Sequence, residues 1–427
     1  MLRETFQKWC ITGLFCIATL SVQAQTSETA DREAKWQQDI QVFVDTLSAH
    51  KDGQKDFAKV YPPASFHAAI ASLKADIPKL SDDEIGLRLM QIMASAHVSH
   101  NMLWPQGPGF VARLPVRFHW YSDGLAVDAA AQEYADTLGA RVVKIRDNTP
   151  EELLAKIAPY IAHENDPWLR LQLTKMIRGE AMLRHFELIG PDGRVAITLE
   201  KPGQPPFTVP VVLADPNPKL VRLSQALNLP IPLYLTRQTQ NYWYQYLADS
   251  QTLYIQYNMC KDDPKLSFKD FTKQVLAEAD AHPVKRVVID LRLNDGGDSA
   301  IIDPLQDGLD ARLKSIGHLF VLIGPGTFSS AMMNALFLQR GINSRGRHEN
   351  LKAILVGEPT GDGLNTLGNA RPFVLPNSKI TGQYTTKLIG NPKAAPVTPQ
   401  PDIAAPRTLA SDLAGRDPAL EAAIAAQ

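Results

Sequence analysis

Cysteine is nearly absent from this chain of 427 residues: there are three in all, and Cys10 and Cys16 fall within the first 25 positions. Once a leader is removed, Cys260 stands alone, which excludes an intramolecular disulfide and a cysteine-based zinc site. It lies beside the apolar run Leu253-Tyr254-Ile255-Gln256-Tyr257-Asn258-Met259, where a lone thiol reads as core. An excess of charge is also lacking. With 44 Lys and Arg against 45 Asp and Glu the net charge is −1, which argues against nucleic acid or an anionic membrane surface as the main partner. Beyond the N-terminus no hydrophobic run is long enough to span a bilayer, and there is no internal repeat or low-complexity tract. A composition of 44% hydrophobic and 21% charged residues permits a large core and does not indicate wholesale disorder.

The one marked apolar run is short. Arg3 and Lys8 precede it, Cys10 to Val22 forms it, and Val22-Gln23-Ala24 closes it as a small-x-small cleavage pattern. Residues 1–24 therefore read as a signal peptide with a mature start at Gln25. The expectation is an exported protein, periplasmic or secreted, that is not inserted in the membrane after cleavage.

The remainder reads as an α/β chain, α+β overall. Residues 25–105 form a helical N-terminal domain. Its clearest helix starts at a capping box, Ser81 and Glu84, and places Ile85, Leu89, Ile92, Met93 and Ala96 on one face. Residues 106–238 form a β-rich middle region: a hairpin turning at Asp123-Gly124, a helix opened by Thr149 and Pro150, a turn at Pro191-Asp192-Gly193, and a proline-rich linker or extended crossing segment from Lys201 to Leu235. Residues 239–427 alternate strands and helices, which predicts a core built on a mostly parallel sheet.

The chemistry concentrates in that last part. Val287 to Leu291 reads as a buried strand, carries Asp290 and Arg292 at its end, and runs into Gly296-Gly297. A second strand, Leu319 to Ile323, leads to Thr327-Phe328-Ser329-Ser330 and a helical run. A serine at a helix start beside glycine N–H donors is how a nucleophile meets an oxyanion site. Each piece also has a plain structural reading: an N-cap for Ser329, a tight turn for Gly296-Gly297, and a strand-end ion pair for Asp290 and Arg292. His97 and His100, at i and i+3, have no third ligand nearby, so no metal and no cofactor are expected.

Together these segments resemble the C-terminal-processing (tail-specific) serine peptidase family, nearer its tricorn-core and interphotoreceptor-retinoid-binding-protein branch. The motifs are Asp290 to Gly297, Thr327 to Ala331, Ile354 to Gly361, and Pro401-Asp402-Ile403 followed by Gly415 to Pro418. The resemblance implies Ser329 as nucleophile, His100 as general base, the N–H groups of Gly297 and Ser330 as oxyanion hole, and support from Ser99 and Gly296. It implies a peptide or protein substrate.

The departures are specific. The processing proteases carry a lysine shortly after the Gly-Glu-Pro-Thr turn, and Gly363 stands in its place, so no Ser–Lys dyad is available. The histidine segment His97-Val98-Ser99-His100-Asn101 lacks the family's Gly-Asp-x-His-Thr pattern. Glu358 and Asp362 are the candidate acidic partners, with Asn369 where relatives carry glutamate. No separate peptide-binding module of the PDZ type is evident. Two functions stay open: a serine peptidase, or a binding protein for a peptide or small apolar ligand on the same scaffold with its catalysis degraded.

Overall fold

The computed structural model describes residues 29–48, 63–214, 218–391 and 393–426. The expected signal peptide lies outside them. Among the described residues no helix is long and apolar enough to cross a membrane.

A six-stranded sheet forms the C-terminal core. Its order is Ile403–Ala404, Ile354–Gly357, His318–Ile323, Arg286–Asp290, Thr252–Tyr257 and Tyr242–Leu247. Every neighbouring pair is parallel except the last. The continuous apolar runs follow from burial on both faces. Val287 and Ile289 point into one core with the helices Phe268–Ala281 and Ser330–Arg340, while Val288 points into another with Pro418–Ala425. The mostly parallel sheet predicted from alternating strands and helices is thus present.

The middle of the chain builds an antiparallel sheet in the order Val116–Tyr121, Gly124–Ala130, Arg141–Ile145, Arg194–Glu200 and Phe207–Val212. It has its own core, in which Val116, Phe118, Val127 and Ile197 meet Leu153 and Leu173 from the helices Pro150–Ile157 and Asp166–Met176. The second of these helices was not expected. The proline-rich stretch after Lys201 is less of a linker than its composition suggested, because it supplies the edge strand Phe207–Val212. Pro210 is tolerated there because an outer edge needs no N–H donor.

The N-terminal helices, 29–48, Pro63–Asp76 and Asp82–Ala94, pack together, and the capping box at Ser81 and Glu84 is formed. Their core also takes Leu103, Leu375 and Ile380. The reason is a hairpin, Thr366–Val374 and Thr381–Ile389, that leaves the C-terminal core and pairs with Met102–Trp104. Asp39 pins its tip by accepting from the N–H groups of Asn377 (2.8 Å) and Ser378 (2.7 Å). The sequence boundary at 239 is therefore crossed in space, and that crossing brings distant residues to one place.

Candidate active site

Strands Arg286–Asp290 and His318–Ile323 are neighbours in register, Asp290 opposite Leu322. Their carboxyl ends therefore release two loops at one level, the usual place for a site in a parallel sheet. Thr327 ties the loops together by donating to the carbonyl of Leu291 at 3.0 Å, and the Phe328 N–H donates to the carbonyl of Asn294 at 3.0 Å. Below them lies a buried ionic cluster. Arg292 donates to Asp290 (2.6 Å) and to both oxygens of Asp417 (2.7 and 2.8 Å), and Tyr254 donates to Asp290 at 2.7 Å. The ion pair expected at the strand end is thus present and extended by Asp417.

Ser329 stands before the helix Ser330–Arg340 with φ 54° and ψ −125°. That is unusual for a residue with a Cβ and is a form of stored strain. Its side chain makes no cap, so the N-cap reading of Ser329 gives way to a serine presented on a tight bend. Gly296, with φ 108°, lies directly over it: a Cβ there would sit 2.7 Å from Ser329 Cβ and 3.0 Å from the Ser330 nitrogen. Gly297, with φ 131°, passes so close to Cys260 that a Cβ would come within 2.2 Å of its carbonyl oxygen. Only glycine fits either place. Ser330 Oγ donates to the Gly297 carbonyl at 2.7 Å and fixes that peptide. Among the described residues the N–H groups of Gly297 and Ser330 have no partner, while that of Gly296 is held by Asn294 at 2.9 Å. Cys260 is buried core, its thiol pushed up to about 11 by burial.

His100 is only 5% exposed and arrives from the N-terminal region. The hairpin holds it: Gln383 donates to the His100 carbonyl at 3.0 Å, and Asn101 Oδ1 accepts from the Thr385 N–H at 2.9 Å. Its ring packs on Phe328, centroids 4.5 Å apart, and Phe328 stacks on Trp168 at 4.1 Å. His100 Nε2 lies 3.8 Å from Asp362 Oδ2, and neither ring nitrogen has a hydrogen-bond partner among the described residues. No hydrogen bond joins His100 to Ser329 among the described residues.

Asp362 sits between the two. Its Oδ2 accepts from the Ser329 N–H at 2.9 Å and its Oδ1 from the Gly363 N–H at 2.8 Å. Glu164, which the sequence reading missed, completes the cluster. It accepts from Ser99 Oγ (3.1 Å), from the Ser99 N–H (3.3 Å) and from Thr366 Oγ1. Ser99 is thus joined to Glu164 rather than to His100 or Ser329. Burial dominates all three titrations. It depresses His100 to about 4, lifts Asp362 to about 7, and lifts Glu164 to about 7 with help from the Asp362 charge.

The other acidic candidates lie apart. Glu358 is raised by burial and faces the cleft near Arg407, with no hydrogen bond or ion pair to His100 or Ser329 among the described residues. Asn369 is exposed and donates to Thr386 at 2.8 Å. At Gly363 a Cβ would meet the Val397 carbonyl at 2.8 Å, so the crossing segment leaves no room for the lysine of a Ser–Lys dyad. Among the described residues no cluster of three or more metal-ligating side chains occurs.

No protein-family model matches the sequence, and no curated protein matches it in sequence. Solved structures do. A crystal structure of mature CPAF overlaps with a TM-score of 0.64 at 14% identity, covering 92% of this chain and 97% of that one. Mature CPAF complexed with lactacystin overlaps with a TM-score of 0.61 at 14% identity, covering 88% and 95%. The photosystem II D1 C-terminal processing protease covers 86% of this chain and 92% of its own at 13% identity, with a TM-score of 0.38, too loose to carry weight. The chain shares the fold of CPAF, and the likeness to C-terminal-processing serine peptidases read from its motifs is borne out at the level of the fold.

Proposed function

We propose that this chain is an exported serine hydrolase, a peptidase acting on peptides or protein termini through an acyl-enzyme on Ser329 with His100 as general base. The observation that carries the reading is Ser329 held at φ 54° beneath Gly296, beside the free N–H groups of Gly297 and Ser330. Ser329 Oγ attacks the substrate carbonyl as its proton passes to His100 Nε2. The two N–H groups receive the oxyanion, the imidazolium returns its proton to the leaving amine, and water repeats the sequence on the ester. Burial keeps His100 neutral at pH 7, as a base requires. Asp362 and Glu164 offset the imidazolium charge that forms. The ring has to close on Ser329 Oγ when substrate binds, in keeping with the longer contacts common in unliganded sites.

A second reading is a binding protein for a peptide or apolar ligand with its catalysis degraded. The two unbonded ring nitrogens of His100 favour it. Fluorophosphonate labelling separates the two. Labelling of the wild type that is lost in Ser329→Ala and in His100→Ala supports the hydrolase; a well-folded wild type that takes no label supports the binding protein.

A further inference from the structure

Beside the candidate site lies an apolar cavity of about 520 Å³ that the proposed chemistry does not use. That size falls within the range of ligand pockets, about 300–1,000 Å³. Its walls come from the helix Asp82–Ala94, the strand Met102–Trp104 and the helices Asp166–Met176 and Glu180–His185. Five of the nine methionines of the chain line it: Met90, Met93, Met102, Met176 and Met182. Thioether side chains are unbranched and polarisable, and surfaces rich in them repack around different apolar partners.

The cavity shares Met102, Trp104, Trp168, Gln172 and Lys175 with the cleft that Gly296 and Gly297 line. Trp168 forms the common wall, is 5% exposed, and stacks on Phe328, the residue before Ser329. Its ring N–H is buried without a partner among the described residues, a donor suited to a carbonyl entering from the cleft. Among the described residues Met102–Trp104 is an edge strand of its three-stranded sheet, pairing there only with Thr381–Ile389, so an extended peptide has an edge to lie against.

We infer that this cavity is the pocket for a substrate side chain, and that it takes large apolar residues, aromatic or long aliphatic, without strict choice among them. The inference rests on the peptidase reading and names its substrate class.

The test uses peptides that differ at one position, carrying Phe, Leu, Met, Ala or Asp. Their kcat/KM is measured on the wild type, on Met90→Trp, which fills the cavity, and on Trp104→Ala, an exposed change that opens its rim. The wild type should favour Phe, Leu and Met over Ala and Asp by about 10- to 200-fold, with little spread among the three. Met90→Trp should erase that preference while keeping fluorophosphonate labelling, and Trp104→Ala should weaken it several-fold. A wild type that labels but cleaves all five peptides equally overturns the pocket and leaves the hydrolase intact.

Binding to Ser329→Ala, followed by fluorescence anisotropy of labelled peptides, needs no turnover. Tighter binding of the Phe peptide than of the Ala peptide, lost in the Met90→Trp background, supports the pocket. Equal binding, or saturable uptake of a free fatty acid with no discrimination among peptides, overturns it. Failure of the wild type to label overturns the hydrolase reading separately.

Discussion

Two buried charged clusters lie near Ser329, and they are built to opposite rules. Around Arg292 every charge has a partner: Asp290, Asp417 and the Tyr254 hydroxyl close the network, and the guanidinium lies 3.9 Å over the Tyr234 ring. Around His100 the ring nitrogens are unbonded and 3.8 Å from the nearest carboxylate oxygen, and two carboxyls sit with their protons held to about pH 7. A saturated network fixes geometry. An unsaturated one keeps groups free to accept and release protons, at the expense of stability. On the proposed reading the first cluster is scaffold and the second is chemistry.

The sharpest way to break this contrast is to remove one cation from the first cluster. Arg292→Ala strands Asp290 and Asp417 as uncompensated buried charges and should destabilise the fold by about 3–5 kcal/mol in urea unfolding. His100→Ala should destabilise by much less, because no hydrogen bond of its ring is lost, yet abolish labelling of Ser329. A loss under about 1 kcal/mol for Arg292→Ala would mean that the two clusters do not differ in kind.

The next effect depends on pH, and its sign follows from the shifts. Asp362 is raised from 3.8 to about 7, so its contribution to stability is fully present below pH 3.8 and is lost as pH rises through about 7. His100 is lowered from 6.5 to about 4, so its contribution is present above pH 6.5 and is lost as pH falls through about 4. Between pH 4 and 6.5 the two oppose each other. Asp362→Asn removes the carboxyl and forfeits one of its two N–H bonds at every pH. The diagnostic is therefore the trend: relative to wild type, the variant should gain roughly 2–4 kcal/mol on going from pH 4 to pH 8.5. A difference that stays flat would place Asp362 in the scaffold. The same carboxyls predict that kcat/KM rises with pH through a step near 7 rather than near 4, since the imidazolium needs an ionised partner.

What the sequence disclosed about these clusters follows how local their signals are. The helix Phe268–Ala281 and the strand ends at Asp290 and Ile323 are read from runs of neighbours, and the Asp290–Arg292 pair is two residues apart. Glu164 had no such signal. It meets Ser99 from 65 positions away and Thr366 from 202. The one local hint was Asn165, which caps the helix Asp166–Met176 and fixes where the preceding carboxylate enters. Asp362 was in reach only as one of two acids near a turn. Its choice over Glu358 and Asn369 depended on the backbone bend that aims it at the Ser329 N–H. The course of the hairpin Thr366–Ile389, which returns to the N-terminal helices and seats His100, lies wholly in long-range pairing.

The smallest expected effect concerns the backbone. Ser329 has a positive φ, whereas Arg292 and Asp290 do not. Ser329→Ala and Ser329→Gly both remove the hydroxyl, and their difference isolates the backbone. Strain at such a position is about 1–3 kcal/mol, and glycine relieves it while giving up about 0.4–1 kcal/mol through its freer unfolded chain. The glycine variant should therefore be the more stable of the two by about 1 kcal/mol, read from denaturant midpoints at equal slope. Were alanine equal or better, the bend at Ser329 would be relaxed in solution. The serine would then lose the feature that distinguishes a presented nucleophile from a helix cap.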